Sequence, residues 1–265
     1  MKHLTLEGHG GHRSRYDDIN LVFELLEEAP AALGLEQVMP PMVLPYYDGS
    51  APDDCGISGF LFLPGGHITL HTFSFRECFF ADILAPQDFD DDAARQLFSI
   101  NLPAAELSVA ALPRSERHFA PSVDAGKDFG PHLSLEVQGY TGPRSMDDLF
   151  GLFDCLPEQI DMTPIMRPYV MRSKLPDGSM VTSAITMLAE SHAAIHVFEG
   201  TNRAYVDVFS CTFFDIEGVV AALQERFTGD EHNVQLLVRG ENFREVWTAR
   251  EHVQNRSRRW LAHRP

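Results

Sequence analysis

Apolar and polar residues alternate over Leu4-Thr5-Leu6 and again over Leu133-Ser134-Leu135, which predicts two short strands. Each is followed by helical spacing. Val22, Leu25, Leu26 and Ala29 fall at i, i+3, i+4 and i+7 behind Asp18, whose carboxylate can cap the first turn. Leu149, Leu152, Phe153 and Leu156 repeat that spacing behind Ser145, with Asp148 three residues after the cap. Apolar runs of strand length follow at Ser58 to Leu63, His67 to Phe73 and Phe79 to Leu84, and again at Val181 to Leu188, His192 to Phe198 and Ala204 to Ser210. A second helix is expected after Asp90, and after Asp215 through Val219, Leu223 and Phe227. A last strand closes each half, at Leu107 to Ala111 and at Val234 to Val238. Strands and helices in this order predict an α+β unit, an antiparallel sheet with two helices on one face.

The pattern occurs twice because the sequence does. His3-Leu4-Thr5-Leu6-Glu7 returns as His132-Leu133-Ser134-Leu135-Glu136, and His67-Ile68-Thr69-Leu70-His71-Thr72-Phe73 returns as His192-Ala193-Ala194-Ile195-His196-Val197-Phe198. Met39 to Tyr46 matches Met162 to Tyr169, Ala81-Asp82-Ile83-Leu84 matches Val206-Asp207-Val208-Phe209, and Phe89-Asp90 matches Phe214-Asp215. Five matches in one order at nearly constant spacing imply a duplication. The expected organisation is a first unit of residues 1–112, a Pro-, Gly- and Ser-rich linker of 113–131, and a second unit of 132–265 with a basic C-terminal tail. Units of this length suit a pseudo-dimer packed face to face, whose further pairing the sequence leaves open.

Charge narrows the partners. The chain has 265 residues and a net charge of −17, of which −12 lies in residues 1–125 and −5 in the remainder. Such a protein repels phosphate backbones, so nucleic acid is not an expected partner; the field suits small cations and also serves solubility. The chain has no stretch of 18 consecutive apolar residues, so no membrane span is expected, and the N-terminus lacks the apolar core of a signal peptide. A cytoplasmic location is the expectation.

Cys55, Cys78, Cys155 and Cys211 form no C-x-x-C pair and are expected to be reduced thiols. His67/His71 and His192/His196 have the H-x-x-x-H spacing seen in zinc helices, but the flanking pattern is that of a strand and the glutamate of H-E-x-x-H is missing. No metal is expected, and paired sheet histidines are the plainer reading.

The second copy carries a more specific signal. Glu190-Ser191-His192-Ala193-Ala194-Ile195-His196 precedes Asp207-Val208-Phe209-Ser210-Cys211. This resembles the prokaryotic pyruvoyl-dependent S-adenosylmethionine decarboxylase proenzymes, in which a Glu-Ser-His-x-x-Ile-His motif precedes Asp-Val-Phe-Thr-Cys. The resemblance covers roughly residues 132–240. It implies self-cleavage between Glu190 and Ser191, with Ser191 becoming a pyruvoyl group that forms a Schiff base with the substrate amine and takes the place of PLP. It gives His196 and Ser183 the processing proton transfers, and Cys211 the return of a proton to the substrate. It also implies two sheets face to face with helices outside, an αββα sandwich.

The family continues His-Thr-Trp-Pro-Glu after its histidine, where this chain has His196-Val197-Phe198-Glu199-Gly200. Phe198 is then the candidate for stacking on adenine and Glu199 for the substrate's hydroxyls, although the acid sits one residue early. In the first copy Gly66 stands at the place of Ser191 and Pro86 at that of Cys211, so that unit is expected to be degenerate, with His71 a relic. The leading expectation is S-adenosylmethionine decarboxylation in polyamine (spermidine) synthesis. The alternatives are a pyruvoyl-dependent arginine or ornithine decarboxylase, also acting on a cationic amine, and a relative that binds without processing.

Overall fold

The computed structural model describes residues 1–47, 55–114, 118–119, 123–189 and 191–244. Glu190 and the basic tail Arg250 to Arg264 lie outside the described residues.

The first unit runs β1 (Lys2–His9), α1 (Arg13–Tyr16), α2 (Ile19–Ala32), β2 (Met42–Tyr46), β3 (Gly56–Leu63), β4 (Gly66–Phe73), β5 (Cys78–Ala85), α3 (Asp91–Asn101) and β6 (Glu106–Pro113). A two-residue strand, β7 (His118–Phe119), follows. The second unit runs β8 (Gly130–Gln138), α4 (Met146–Gln159), β9 (Tyr169–Lys174), β10 (Met180–Met187), β11 (Ser191–Phe198), β12 (Arg203–Ser210), α5 (Ile216–Arg226) and β13 (Glu231–Arg239). The first sheet has the order β2-β3-β4-β5-β1-β6, and the second β7-β13-β8-β12-β11-β10-β9. Without β7, which pairs parallel to β13, the second order is that of the first strand for strand. The fold is α+β, an αββα sandwich of two repeated sheets.

Both predicted caps, Asp18 and Ser145, form, and Asp90 caps α3 in the same way. Asp18 accepts from the Asn20 and Leu21 amides, Asp90 from Asp92 and Ala93, and Ser145 from Asp148. Asp215 makes no side-chain cap bond. Under α2 and α3 lies one apolar core, containing Leu4, Leu6, Ile68, Leu70 and Ile83; under α4 and α5 lies its counterpart, with Leu133, Leu135, Ala193, Ile195 and Val206.

The opposite strand faces are also buried. His3 and Thr5 alternate with Leu4 and Leu6, yet they are 0% and 5% exposed. Alternation here separates an apolar helix-facing side from a polar side that meets the other sheet. His3, His67, His71 and Asp82 from the first sheet and His132, His192, His196 and Asp207 from the second fill that layer, all at most 1% exposed.

Three strands went unpredicted. β2 and β9 are the outer strands on one side of each sheet, β2 carrying Pro45 and β9 starting just after Pro168. β7 lies in the expected linker. No helix among the described residues is long and apolar enough to cross a membrane.

Candidate active site

Ser191 opens β11 at a tight reversal. Its amide donates to the Leu188 carbonyl at 3.2 Å, and the Leu188 amide donates back to the Ser191 carbonyl at 3.0 Å. The segment before it is braced from the other side: the Ala189 amide donates to Thr163 O at 2.8 Å and the Ile165 amide to Met187 O at 3.0 Å. Ser191 is 1% exposed, and its Oγ has no hydrogen-bond partner among the described residues. A buried hydroxyl without a partner costs free energy, on the order of 1–3 kcal/mol, so this one needs a reason.

Register brings Cys211 to the same end of the sheet. Ser191 pairs with Ser210, and Cys211 is the next residue. A small turn fixes it: Ser210 Oγ donates to Thr212 O at 2.7 Å and accepts from the Thr212 amide. Cys211 is buried in an apolar cluster with Phe73, Cys78, Phe80, Phe129, Phe209 and Phe243, drawn from both units. None of the four cysteines is in a disulfide.

The histidine layer crosses between units. His71 Nε2 lies 2.8 Å from His192 Nδ1, and His71 Nδ1 lies 2.8 Å from Ser58 Oγ. The duplicate arrangement runs the other way: His196 Nε2 lies 2.8 Å from His67 Nδ1, and His196 Nδ1 lies 2.7 Å from Ser183 Oγ. All four rings are buried and lose the hydration that stabilises the charged form. Burial pushes His67 down to about 4 and His71 down to about 3, and holds His192 and His196 well below the usual imidazole range.

An S-adenosylmethionine decarboxylase family profile matches residues 2–115 and 132–240, most of both units. The chain belongs to the S-adenosylmethionine decarboxylase family. Among solved structures it is similar to the adenosylmethionine decarboxylase of Aquifex aeolicus VF5, at 21% identity and a TM-score of 0.34, over 43% of this chain and 92% of that one. It is also similar to an unknown protein from Galdieria sulphuraria, at 9% identity and a TM-score of 0.21, over 90% of this chain and 96% of that one. No curated protein matches.

The residues that the family motifs assign in one copy do not meet in one place. His196 lies five residues along β11 from Ser191, about 17 Å at the rise of an extended strand, and Ser183 pairs with His196 in the register. Phe198 and Glu199 lie farther along. The Phe198 ring covers Gly65, 2.7 Å from where a Cβ would stand, and Glu199 is ion-paired to Arg172 at 2.7 Å. Phe198 and His196 thus stand against the first unit's reversal, at Gly65 and His67, and that reversal carries Gly66 in place of a serine. A Cβ on Gly66 would stand 1.9 Å from the Leu84 carbonyl oxygen, so the backbone there has closed over the position that Ser191 occupies in the second unit.

What stands beside the Ser191 end comes from the first unit. His71 touches the residue after Ser191, Ser58 backs His71, and Phe73 shares the cluster of Cys211. His71-Thr72-Phe73 keeps the histidine-threonine-aromatic order of the family motif, and Phe75 takes the place of its glutamate. His71, expected to be a relic, is the first-unit side chain that meets the residue after Ser191. The available signal was the retention of both Ser58 and His71 in a copy that had lost its serine and cysteine.

Beside the histidines lies a buried ionic network of the same symmetry. Arg114 donates to both carboxylate oxygens of Asp207 at 2.5 and 3.1 Å, and Arg239 donates to Asp82 at 2.8 Å and to Glu7. Burial alone would raise both aspartates; Arg239 holds Asp82, and Arg114 holds Asp207, well below the usual carboxylate range, with help from His3 and His132. His3, His132 and Asp207 have ligand atoms within 4.8 Å of one another, a spacing that could hold a metal. Arg114 stands 3.3 Å from His3 Nδ1, and Arg239 stands 3.0 Å from His132 Nδ1. Those two guanidiniums already neutralise the site and repel a cation, so the surroundings do not suit one.

Proposed function

We propose that this protein is a self-processing pyruvoyl-dependent decarboxylase whose one reactive serine is Ser191 and whose site spans both units. The observation that carries this reading is the buried, unpartnered Ser191 Oγ at a braced reversal, one residue from a histidine pair that joins the units. Bracing of Met187 to Ala189 and pairing of Ser191 itself restrict the chain around the serine, and restricted motion is the condition under which an intramolecular attack gains most.

In this reading Ser191 Oγ adds to the carbonyl carbon of Glu190, and the acyl group moves from nitrogen to oxygen, leaving an ester and a free amine. Loss of the Ser191 α-proton then breaks the Cβ–O bond. A carboxylate remains on Glu190 and a dehydroalanine on the other side, which takes up water and releases ammonia. The Ser58–His71 pair of the first unit serves these proton transfers, in place of Ser183 and His196. A neutral imidazole is the form needed to accept the hydroxyl proton, and burial keeps His71 in that form. The resulting pyruvoyl group supplies a carbonyl for the substrate amine and an electron sink for loss of carbon dioxide. Cys211 stands at that end to give a proton to the substrate carbon.

The substrate is a small cationic amine, S-adenosylmethionine by family, and the setting is polyamine synthesis in the cytoplasm. Phe75 at the motif's glutamate position favours a second reading, arginine or ornithine, because no carboxylate from that position is offered to a ribose. Ser191→Ala tests the proposal: the variant should stay one chain, and cleavage before residue 191 in that variant would sink it. Cys211→Ala should cleave and then turn over poorly, and normal turnover would remove Cys211 from the mechanism.

A further inference from the structure

The chain leading into the proposed cleavage point is tied to one neighbouring strip, residues 163–166. The Ile165 amide donates to Met187 O at 3.0 Å and the Ala189 amide to Thr163 O at 2.8 Å, with Pro164 and Leu188 bridged between them. A further tie comes from a side chain. Thr186 is buried, and its Oγ1 donates to Met166 O at 3.1 Å. Residues 164–168 also line a cavity of about 280 Å³ together with Phe153, Asp154 and Thr186. Close packing therefore does not fix the strip on that side, and its hydrogen bonds carry more of the restraint.

The duplication shows which of these ties belong to the fold and which to the serine. Ser58 pairs with His71 as Ser183 pairs with His196, so Leu61 is the counterpart of Thr186 and Pro64 that of Ala189. The Ile165–Met187 bond has its equivalent in the first unit, where the Val38 amide donates to Phe62 O at 3.0 Å. The other two bonds have none. Pro64 carries no N–H to donate, and Leu61 has no hydroxyl and is buried in the apolar core. Both added ties stand in the copy that carries Ser191, one on each side of the shared bond.

We infer that Thr186 is a positioning residue for self-cleavage at Ser191. The inference rests on the proposed self-processing reaction and deepens it. The Thr186 hydroxyl fixes the strip 163–166, and the strip fixes Met187 to Ala189. Those residues lead directly into Glu190, whose carbonyl carbon is the one attacked. Thr186 exchanges no proton in this role and acts only through the backbone. Attack within a chain is sensitive to small displacements, and a shift of about 1 Å can cost on the order of 100-fold in rate. The first unit has Gly66 in place of the serine and does without the hydroxyl.

The test follows cleavage of the purified, uncleaved full-length chain by denaturing mass. Thr186→Val keeps the side-chain shape and removes the hydroxyl, and it should slow cleavage about 10-fold. Thr186→Ser keeps the hydroxyl and should cleave close to the wild-type rate. Tyr140→Phe removes a bond of the same kind, from the Tyr140 hydroxyl to Pro143 O at 2.8 Å, at the other end of the sheet. It should lower the thermal midpoint without slowing cleavage. Wild-type cleavage in Thr186→Val, or equal slowing in Thr186→Ser or Tyr140→Phe, overturns the inference. If Thr186→Val does not fold, Thr186→Leu installs the first unit's residue, for which the cavity leaves room, and wild-type cleavage in that variant also overturns it. In the uncleavable Ser191→Ala chain, hydrogen exchange at the Ala189 amide should be faster with Thr186→Val than without it, and equal exchange overturns the coupling. Failure of the wild-type chain to cleave removes the underlying reaction and this role together; a cleaving wild type with an indifferent Thr186→Val removes the role alone.

Discussion

Acidification should unfold this protein well above the pH at which its carboxylates titrate, because the layer between the sheets is built on neutral imidazoles. His67 titrates at about 4 and His71 at about 3 in the folded chain, against about 6.5 when unfolded, and burial is the main cause in both. A histidine whose folded pKa is depressed binds its proton more readily when unfolded. Its contribution is therefore fully present above the unfolded value and is lost as pH falls from about 6.5 toward 4. At pH 5 each of the two is almost wholly protonated in the unfolded chain and almost wholly neutral in the folded one, a loss of about 2 kcal/mol each. Together they remove about 4 kcal/mol between pH 7.5 and pH 5, out of the 5–15 kcal/mol typical of a native protein. His192 and His196 are shifted the same way and add to the loss. Asp82 and Asp207 contribute nothing in this window, since carboxylates held low lose their contribution only below about pH 4. Urea unfolding followed by far-ultraviolet circular dichroism at pH 7.5, 6.5 and 5.0 measures the effect. A free energy of unfolding at pH 5.0 within 1 kcal/mol of that at pH 7.5 would refute a buried neutral layer.

Three further outcomes follow from the geometry. His71→Asn should block or strongly slow cleavage before Ser191 while His196→Asn leaves it intact; the reverse result, read on a denaturing gel, would return the processing function to the second unit's own histidine. Arg239→Met should cost about 3–5 kcal/mol in a denaturant titration, because it leaves the buried Asp82 carboxylate without its main counter-charge, and Asp82→Leu added to it should recover most of the loss. Phe75→Glu should raise kcat/KM for S-adenosylmethionine relative to arginine and ornithine, and an unchanged ratio would remove Phe75 from substrate selection.

Much of the architecture was legible because the sequence states it twice. Apolar spacing behind Asp18 and Ser145 located α2 and α4, and the runs around His67 and His192 located the central strands. A polar residue opposite an apolar one on a strand ordinarily faces water, and on β1 it faces another sheet, a fact set by packing between units about 130 residues apart. The same distance hid the make-up of the site. Ser191 and Cys211 are joined by local register, so their spacing is visible in one copy. His71 and Ser58 reach them only when two sheets stack in one orientation, and no local pattern encodes that. β2 and β9 escaped because outer strands bearing or following proline are only partly buried and lack a clean period.

Whether Ser191 cuts its own chain can be read from the denatured mass of the purified wild-type protein. Apportioning 29.7 kDa over 265 residues gives about 21 kDa for residues 1–190 and about 8 kDa for residues 191–265. Self-cleavage gives these two species, the smaller blocked at its new N-terminus by a carbonyl in place of the Ser191 amine. A single 29.7 kDa species after prolonged incubation would contradict it.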